Sequence, residues 1–503
     1  MRILLLSMPD SFEHMPSIGV RMPNGALSSL AGNVDPHHNV AIADLILVQD
    51  RVRQTVTELV GKHSPDLVGL SVMTFQRKTA KRIIALVRQL VPDVKIVVGG
   101  YDPSLAVDAY TSPQDGVDFV IRGEGEITFR DLLRALESSN DFSTIRGLSY
   151  RSSIEPQTNS VFHHNADRPI SGLNDGQIRP PNRNARVLTG YEFLGNPVDV
   201  IETSRGCTYD CSFCSIIEMR GRNFFTYSND RVLDDIRDAY SHGARSIFFV
   251  DDNIGLNVQR LEGLCRAIID AKLNRIEYLV QAMTSSIANH GDTLIPLMVK
   301  AGFRYVFLGI ENVLEEDLAF LKASSKNSKR ESGKRTGNAT LQAIDQAHRH
   351  NMYVVGGLIV GNPDDTESSI MTNLEFAKRH IDYPYIQHPT PYPSTPMTKE
   401  FEEKGLIVST AEEEYDGTTA VVRTKHLLPQ DIEFLRWRAE RWIKLRHALA
   451  VLRDRPKFVL RNGIRMIRFT FRGSTWRTFL GLEDERKAFA RYRAIRAQER
   501  NYL

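Results

Sequence analysis

Three of the four cysteines in this 503-residue chain sit together, as Cys207, Cys211 and Cys214 in the stretch Arg205-Gly206-Cys207-Thr208-Tyr209-Asp210-Cys211-Ser212-Phe213-Cys214. The spacing is CxxxCxxC, and a tight loop with that spacing can bring three thiolates to one point. Thiolates are the ligands of iron–sulfur clusters, and four irons held by three thiolates leave one iron open to a further ligand. A closed structural zinc site needs a fourth protein ligand, and no other Cys or His lies within ten residues on either side. Cys265 falls in the apolar helical pattern 261–269 and reads as a small core residue.

The cysteines must be held by the element before them, the apolar run 198–203. From there apolar strands recur at 246–250, 277–283, 304–309, 353–360 and 385–390, with amphipathic helices between. Six such βα units predict a partial barrel with its chemistry at the carboxyl ends of the strands. The strand ends carry Asp251-Asp252-Asn253, then Gly309-Ile310-Glu311-Asn312, then Gly357-Leu358-Ile359-Val360-Gly361-Asn362-Pro363. Asp252 and Glu311 are ligand candidates, with capping of the following helix as the structural alternative. The sixth strand runs into Gln387-His388-Pro389-Thr390-Pro391-Tyr392-Pro393-Ser394-Thr395-Pro396, whose prolines fix an extended loop at the barrel mouth. His388 and Tyr392 are candidates there, against a packing role. The basic run 326–335 reads as a solvated loop.

Residues 1–140 alternate strands, at 3–8, 39–44, 67–71, 95–98 and 118–121, with helical patterns such as 76–91, where Ile83, Ile84, Val87 and Leu90 share one face. That order predicts a doubly wound, flavodoxin-like parallel sheet that binds ligands beyond its carboxyl edge. The loops on that edge are Ser71-Val72-Met73-Thr74, Gly99-Gly100-Tyr101-Asp102-Pro103 and Gly123-Glu124-Gly125-Glu126. Their glycines let backbone approach a ligand closely and are also ordinary turn residues. His37 and His38 lie before the second strand and read as turn residues. The polar stretch 141–195 reads as a linker, 196–403 as the barrel, and 404–503 as a helical C-terminal region.

CxxxCxxC with an aromatic, Phe213, before its last cysteine resembles the signature of radical S-adenosylmethionine (SAM) enzymes. The resemblance implies a [4Fe–4S] cluster on Cys207, Cys211 and Cys214, SAM chelated by the open iron beside Phe213, and cleavage of SAM to a 5′-deoxyadenosyl radical. It places Asp252 at the amino end of SAM, although the family's glycine-glycine-glutamate is absent there. Glu311 would meet the ribose or amine, and Gly357, Ile359 and Gly361 match the GxIxG strand under the adenine. The proline segment resembles the family's TPYPGTP, with Ser394 in place of glycine. Tyr392 or His388 would face substrate or cobalamin.

A sheet domain with GGxxP and RGEGE loops ahead of such a barrel is similar to the cobalamin-binding radical SAM enzymes, which include anaerobic Mg-protoporphyrin cyclase and the hopanoid methylases. The likeness spans roughly residues 1–400. It implies cobalamin held by Ser71, Met73, Thr74, Gly99, Gly100, Tyr101, Gly123, Glu124 and Gly125, without a lower histidine. Asp35-Pro36-His37-His38-Asn39-Val40 imitates the histidine motif of other cobalamin proteins but lacks its final glycine. The expected function is methylation of an unactivated carbon on an apolar, lipid- or hopanoid-type substrate, with flavodoxin or ferredoxin as electron donor. A cyclase or ring-rearranging enzyme without methyl transfer is the alternative, and a non-catalytic cobalamin or iron–sulfur sensor the remote one.

The totals agree with an oxygen-sensitive cytoplasmic protein. Apolar residues make up 42% and charged residues 25%, as in soluble domains. No apolar run reaches the ~20 residues of a membrane span. A lone cysteine group argues against a disulfide scaffold, and the absence of a second group argues against methylthiotransferases and enzymes with auxiliary clusters. The formal net charge is +3, yet residues 451–503 hold fourteen Lys and Arg against five acids, a net +9. Basic helices with interleaved aromatics predict either contact with a membrane surface or a solvated cap over the barrel mouth. No nucleic-acid module accompanies the charge.

Overall fold

The computed structural model describes residues 1–12, 19–152, 161–170, 173, 176–331, 334–498 and 501–503. Its first sheet runs, in spatial order, Asn39–Asp44, Arg2–Ser7, Leu67–Ser71, Lys95–Gly99 and Phe119–Ile121, all parallel. This is the flavodoxin-like order, with the switch point beside the first strand. Ile3, Leu4, Leu5 and Leu6 are all buried, because a parallel sheet is covered on both faces. Alternation then sorts them: Leu4 and Leu6 enter the core on one face, Ile3 and Leu5 the core on the other. The helix expected at 76–91 spans Arg77–Leu90, with Ile83, Ile84 and Val87 buried.

The stretch 141–195 is not simply a linker. Leu148–Arg151 and Phe162–His164 extend the first sheet as antiparallel strands. Such short edge strands carry polar residues on their solvated side, which is why composition concealed them. Downstream, Leu173 and Ile178 join the barrel core and Ala185 the first-domain core. Arg183 is 4% exposed, bonded to Asp199 (2.9 Å), Asp235 (2.5 Å) and Asp238 (2.8 Å). This stretch is the seam between the domains.

The second sheet holds six parallel strands, Asn196–Ile201, Ser246–Phe249, Glu277–Ala282, Phe303–Glu311, Tyr353–Ile359 and Tyr383–Gln387, in sequence order. Its first edge is extended by Glu192–Phe193 and then by Val20–Arg21, both antiparallel. A piece of the N-terminal third therefore completes the barrel sheet.

Helices Pro429–Asp454, Pro456–Thr470, Trp476–Phe479 and Glu485–Gln498 make up most of the C-terminal region. Ile432, Leu435 and Trp437 are buried as the sequence predicts, but Trp442 is 51% exposed, and the side chain of Leu445 lies outside the described set. The long helix packs on the barrel core through Ile432, Leu435 and Ile443, with Ile432 against Gly361. Arg455 then bonds Glu277 and the Tyr305 hydroxyl (3.3 Å), both near the amino ends of their strands. The helix Pro456–Thr470 therefore starts at the floor of the barrel, not over its mouth. Among the described residues no helix is long and apolar enough to cross a membrane.

Candidate active site

The cysteine loop leaves the first barrel strand and passes through the short ribbon formed by Ser204–Arg205 and Phe225–Thr226. Gly206 turns the chain at φ 90°. A Cβ there would come within 2.5 Å of the Asn223 carbonyl oxygen, so only glycine fits. Its amide donates to Asp252 Oδ2 (2.7 Å), while Asp251 accepts from the Thr203 amide (2.6 Å) and the Ser204 hydroxyl (2.7 Å). The second strand end thus fixes the start of the loop. Its far end is held by the Ser212 amide on the Leu321 carbonyl (3.1 Å) and the Met397 amide on the Ser212 carbonyl (2.9 Å).

All three cysteines are free thiols, with Cys211 buried and the other two half-buried. Among the described residues, the one trio whose ligand atoms all lie within 4.8 Å of one another is His37, His38 and Glu137. The three sulfurs are therefore spread wider than ligands of a single zinc ion, which suits a multi-iron cluster. Burial raises the Cys211 thiol and pushes Cys214 up to about 12, with the charge of Lys326 opposing both. Asn253 Nδ2 lies 3.7 Å from Cys207 Sγ, and its buried Oδ1 has no hydrogen-bond partner among the described residues.

Beneath the loop lies a pair the sequence reading did not assemble. Glu311 ends the fourth strand at a bulge with φ 60°, 7% exposed, and binds Lys326. The Lys326 ammonium is 5.6 Å from the centre of the Phe213 ring. The reading of 326–335 as a solvated loop fails: Glu311 holds Lys326 inward, Asn327 and Ser328 are buried, and Ser328–Glu331 pairs antiparallel with Lys334–Asn338. No sequence periodicity signals that; only the carboxylate fifteen residues earlier could have. Phe213, Ile359 and Tyr392 belong to one apolar cluster with Met397 and Phe401. In the fifth strand a Cβ on Gly357 would meet the Phe307 ring at 2.9 Å, and Gly361, at φ 104°, donates to Asp365 (2.7 Å).

A cavity of about 400 Å³ lies between the first domain and the barrel strand ends at Glu202 and Asp252, and none of the three cysteines, Phe213 or Glu311 lines it. On one side it is lined by Ser71, Met73, Gly99, Gly100, Tyr101, Gly123, Glu124 and Gly125. Thr74 is not among them and instead borders a second cleft with Arg77 and the proline segment. The loops are laced together: Val72 and Gly99 by backbone (2.9 Å), and Gly100 to Gly123 through the Ser104 hydroxyl (2.6 and 3.0 Å). Gly100 sits at φ 108°, with room for no Cβ beside the Val72 carbonyl. His37 and His38 lie at the opposite, amino end of the sheet, where His37 bonds Glu137 (2.8 Å).

Glu202, Arg205, Arg220 and Asp252 line the barrel side of the cavity. Arg205 bonds Glu202 (2.8 Å) and, across the domain boundary, Glu126 (2.5 Å), with Glu124 at 3.5 Å. Burial alone would raise Glu126, but Arg205 holds it down at about 2. Burial wins at Glu202, pushing it up to about 7 against Arg205 and Arg220, and raises Glu124 as well. Arg220 bonds Asp252 (3.1 Å). Burial pushes the neighbouring Tyr101 phenol up to about 12, with the Arg220 charge opposing. Buried Arg220 Nε has no hydrogen-bond partner among the described residues, and buried Glu124 Oε1 meets only Arg205, at 3.5 Å. A cavity rimmed by glycine backbone and by polar atoms with bonding capacity to spare fits a large ligand rich in amides, as cobalamin is. The sequence reading missed Glu202, Arg205 and Arg220, although all three flank or abut the cysteine motif.

His388 and Tyr392 do not reach this cavity. His388 is 2% exposed, its Nδ1 on the Val360 carbonyl (3.1 Å), and burial lowers it to about 3. The Tyr392 hydroxyl donates to the Tyr415 carbonyl (3.3 Å).

Residues 12–133 match the B12 binding domain family and residues 201–377 the radical SAM superfamily. The chain is 26% identical to an uncharacterized methyltransferase of Pyrococcus horikoshii, over 92% of this chain and 94% of that one. It is 25% identical to the anaerobic magnesium-protoporphyrin IX monomethyl ester cyclase of Synechocystis, over 96% and 91% respectively. Its fold matches the radical SAM methyltransferase TsrM from Kitasatospora setae, solved with cobalamin and a [4Fe–4S] cluster, at TM-score 0.64 and 18% identity over 88% of both chains. With both domains in this order, the chain belongs to the cobalamin-binding radical SAM enzymes, whose cofactors are a [4Fe–4S] cluster, SAM and cobalamin.

Proposed function

We propose that this enzyme transfers a methyl group to an unactivated carbon of a small, largely apolar substrate. The observation that carries the reading is the single cavity shared by the glycine loops of the first domain and the strand ends beside the cysteine loop. When bound, cobalamin would carry the methyl group, and SAM on the cluster would supply the radical that opens the substrate carbon to it. Cys207, Cys211 and Cys214 would hold the cluster. Glu311, positioned by Lys326, and the orphaned Asn253 amide would meet the polar end of SAM, with Phe213, Ile359, Gly357 and Gly361 about its adenine. Asp252, already engaged by Gly206 and Arg220, orients the loop more directly than it could grip a ligand.

The likeness to a cyclase over nearly the whole chain favours a second reading, ring formation without methyl transfer. One experiment separates them. The anaerobically reconstituted, cobalamin-loaded protein is reduced, given SAM, and assayed for 5′-deoxyadenosine and S-adenosylhomocysteine together. Both products, and a methylated substrate, are expected; 5′-deoxyadenosine with a cyclised and unmethylated product would replace this reading by the second.

A further inference from the structure

The exposed apolar side chains of this molecule gather in its C-terminal region. Within helix Pro456–Thr470, Leu460 is 83% exposed, Ile464 71% and Ile467 61%. At about 100° per residue these three share an arc of about 60°. Phe458 and Asn462 are buried on another side of the same helix, so packing against the protein is already accounted for. Beyond the helix the apolar exposure continues, with Trp476 at 68%, Leu480 at 66% and Leu482 at 59%.

Charge flanks that stripe. Lys457, Arg461, Arg465 and Arg468 are exposed and fall in an adjoining arc of about 80°. None of the four has an ion pair with a described residue, although ion pairs abound elsewhere on this surface. Apolar area left open to water is unfavourable unless something covers it. Four unneutralised cations beside it specify an anionic cover. A helix with an apolar stripe, a basic flank and a neighbouring tryptophan lies in the plane of a lipid surface, with the stripe among the acyl chains and the basic heads at the phosphates.

We propose that this face docks the enzyme on an anionic lipid bilayer. Arg455, the residue before the helix, is fixed to Glu277 and Tyr305 near the amino ends of the barrel strands, whereas the cysteine loop lies at the carboxyl ends. Docking would therefore tether the enzyme with its active site turned away from the bilayer, whatever its substrate.

The test is flotation of the full-length protein with vesicles of phosphatidylcholine alone or mixed with phosphatidylglycerol. Binding to the mixed vesicles, weakened by salt and absent from phosphatidylcholine, is expected. The exposed triple variants Arg461→Glu/Arg465→Glu/Arg468→Glu and Leu460→Ser/Ile464→Ser/Ile467→Ser should each lower partitioning more than about tenfold. Circular dichroism and cysteine-bound iron should remain unchanged. Failure of the wild type to float with anionic vesicles overturns the proposal, as does floating that is indifferent to the charge reversal. Concentration-dependent self-association removed by the serine variant, without vesicle binding, would assign the face to a second copy of the chain.

Discussion

Lys326 shows how much one buried charge can hold in place. It neutralises Glu311 beneath the cysteine loop and faces the Phe213 ring. Removing one partner of a buried pair leaves the other uncompensated, so Lys326→Met should cost about 3–5 kcal/mol. Lys326→Met combined with Glu311→Gln should recover much of that in denaturant titrations, while SAM affinity stays lost in both. Glu202 makes a pH prediction. Its folded value of about 7 lies above the ~4.3 of an unfolded chain, so the folded protein binds this proton more tightly. The stability this gives is full below about pH 4.3 and is lost as pH rises through about 7. Over that window the stability of the apo-protein should fall by at most roughly 4 kcal/mol, read as a falling thermal midpoint, and Glu202→Gln should flatten the profile.

At the scale of elements, the site depends on strand ends that are fastened to one another. The cysteine loop starts where Gly206 bends at positive φ under the Asp252 carboxylate and ends on backbone bonds from Leu321 and Met397. A Cβ at 206 meets backbone of Asn223, which cannot swing aside as a side chain would. Gly206→Ala should therefore cost at least about 2 kcal/mol and should lower the iron bound per chain after reconstitution. Gly263, inside the helix Val258–Asp270, has no neighbour nearer than 3.9 Å to an added Cβ. Gly263→Ala should be neutral or stabilise by up to about 1 kcal/mol, with normal iron, which separates loop geometry from general glycine loss.

The molecule as a whole is joined at its chemistry. Arg205 sits two residues before the first cysteine and reaches across to Glu126 of the first domain, while Val20–Arg21 completes the edge of the barrel sheet. Arg205→Met would leave Glu126 and Glu202 facing each other without their cation. Calorimetry of the wild-type apo-protein should show one cooperative transition, and that of Arg205→Met two, with cleavage by protease concentrated in the seam near 165–190.

Periodicity and composition made the two sheets legible, because parallel strands buried on both faces read as short apolar runs, and helices between them carry a 3.6-residue stripe. The cysteine spacing and the glycine loops were legible too, since each is local in sequence. The strands Leu148–Arg151 and Phe162–His164 were not, because half-solvated strands look like loops. The inward turn of Lys326 is equally hidden, as are the placement of Thr74 outside the cavity and of His388 on the Val360 carbonyl. The order of elements and the identity of the groups at their ends are written along the chain. Which of those groups share a cavity, that Arg205 bridges the domains, and that the basic tail begins beneath the barrel follow from packing alone. Those outcomes depend on charge pairs and close approaches between residues far apart in the chain, and no local pattern records them.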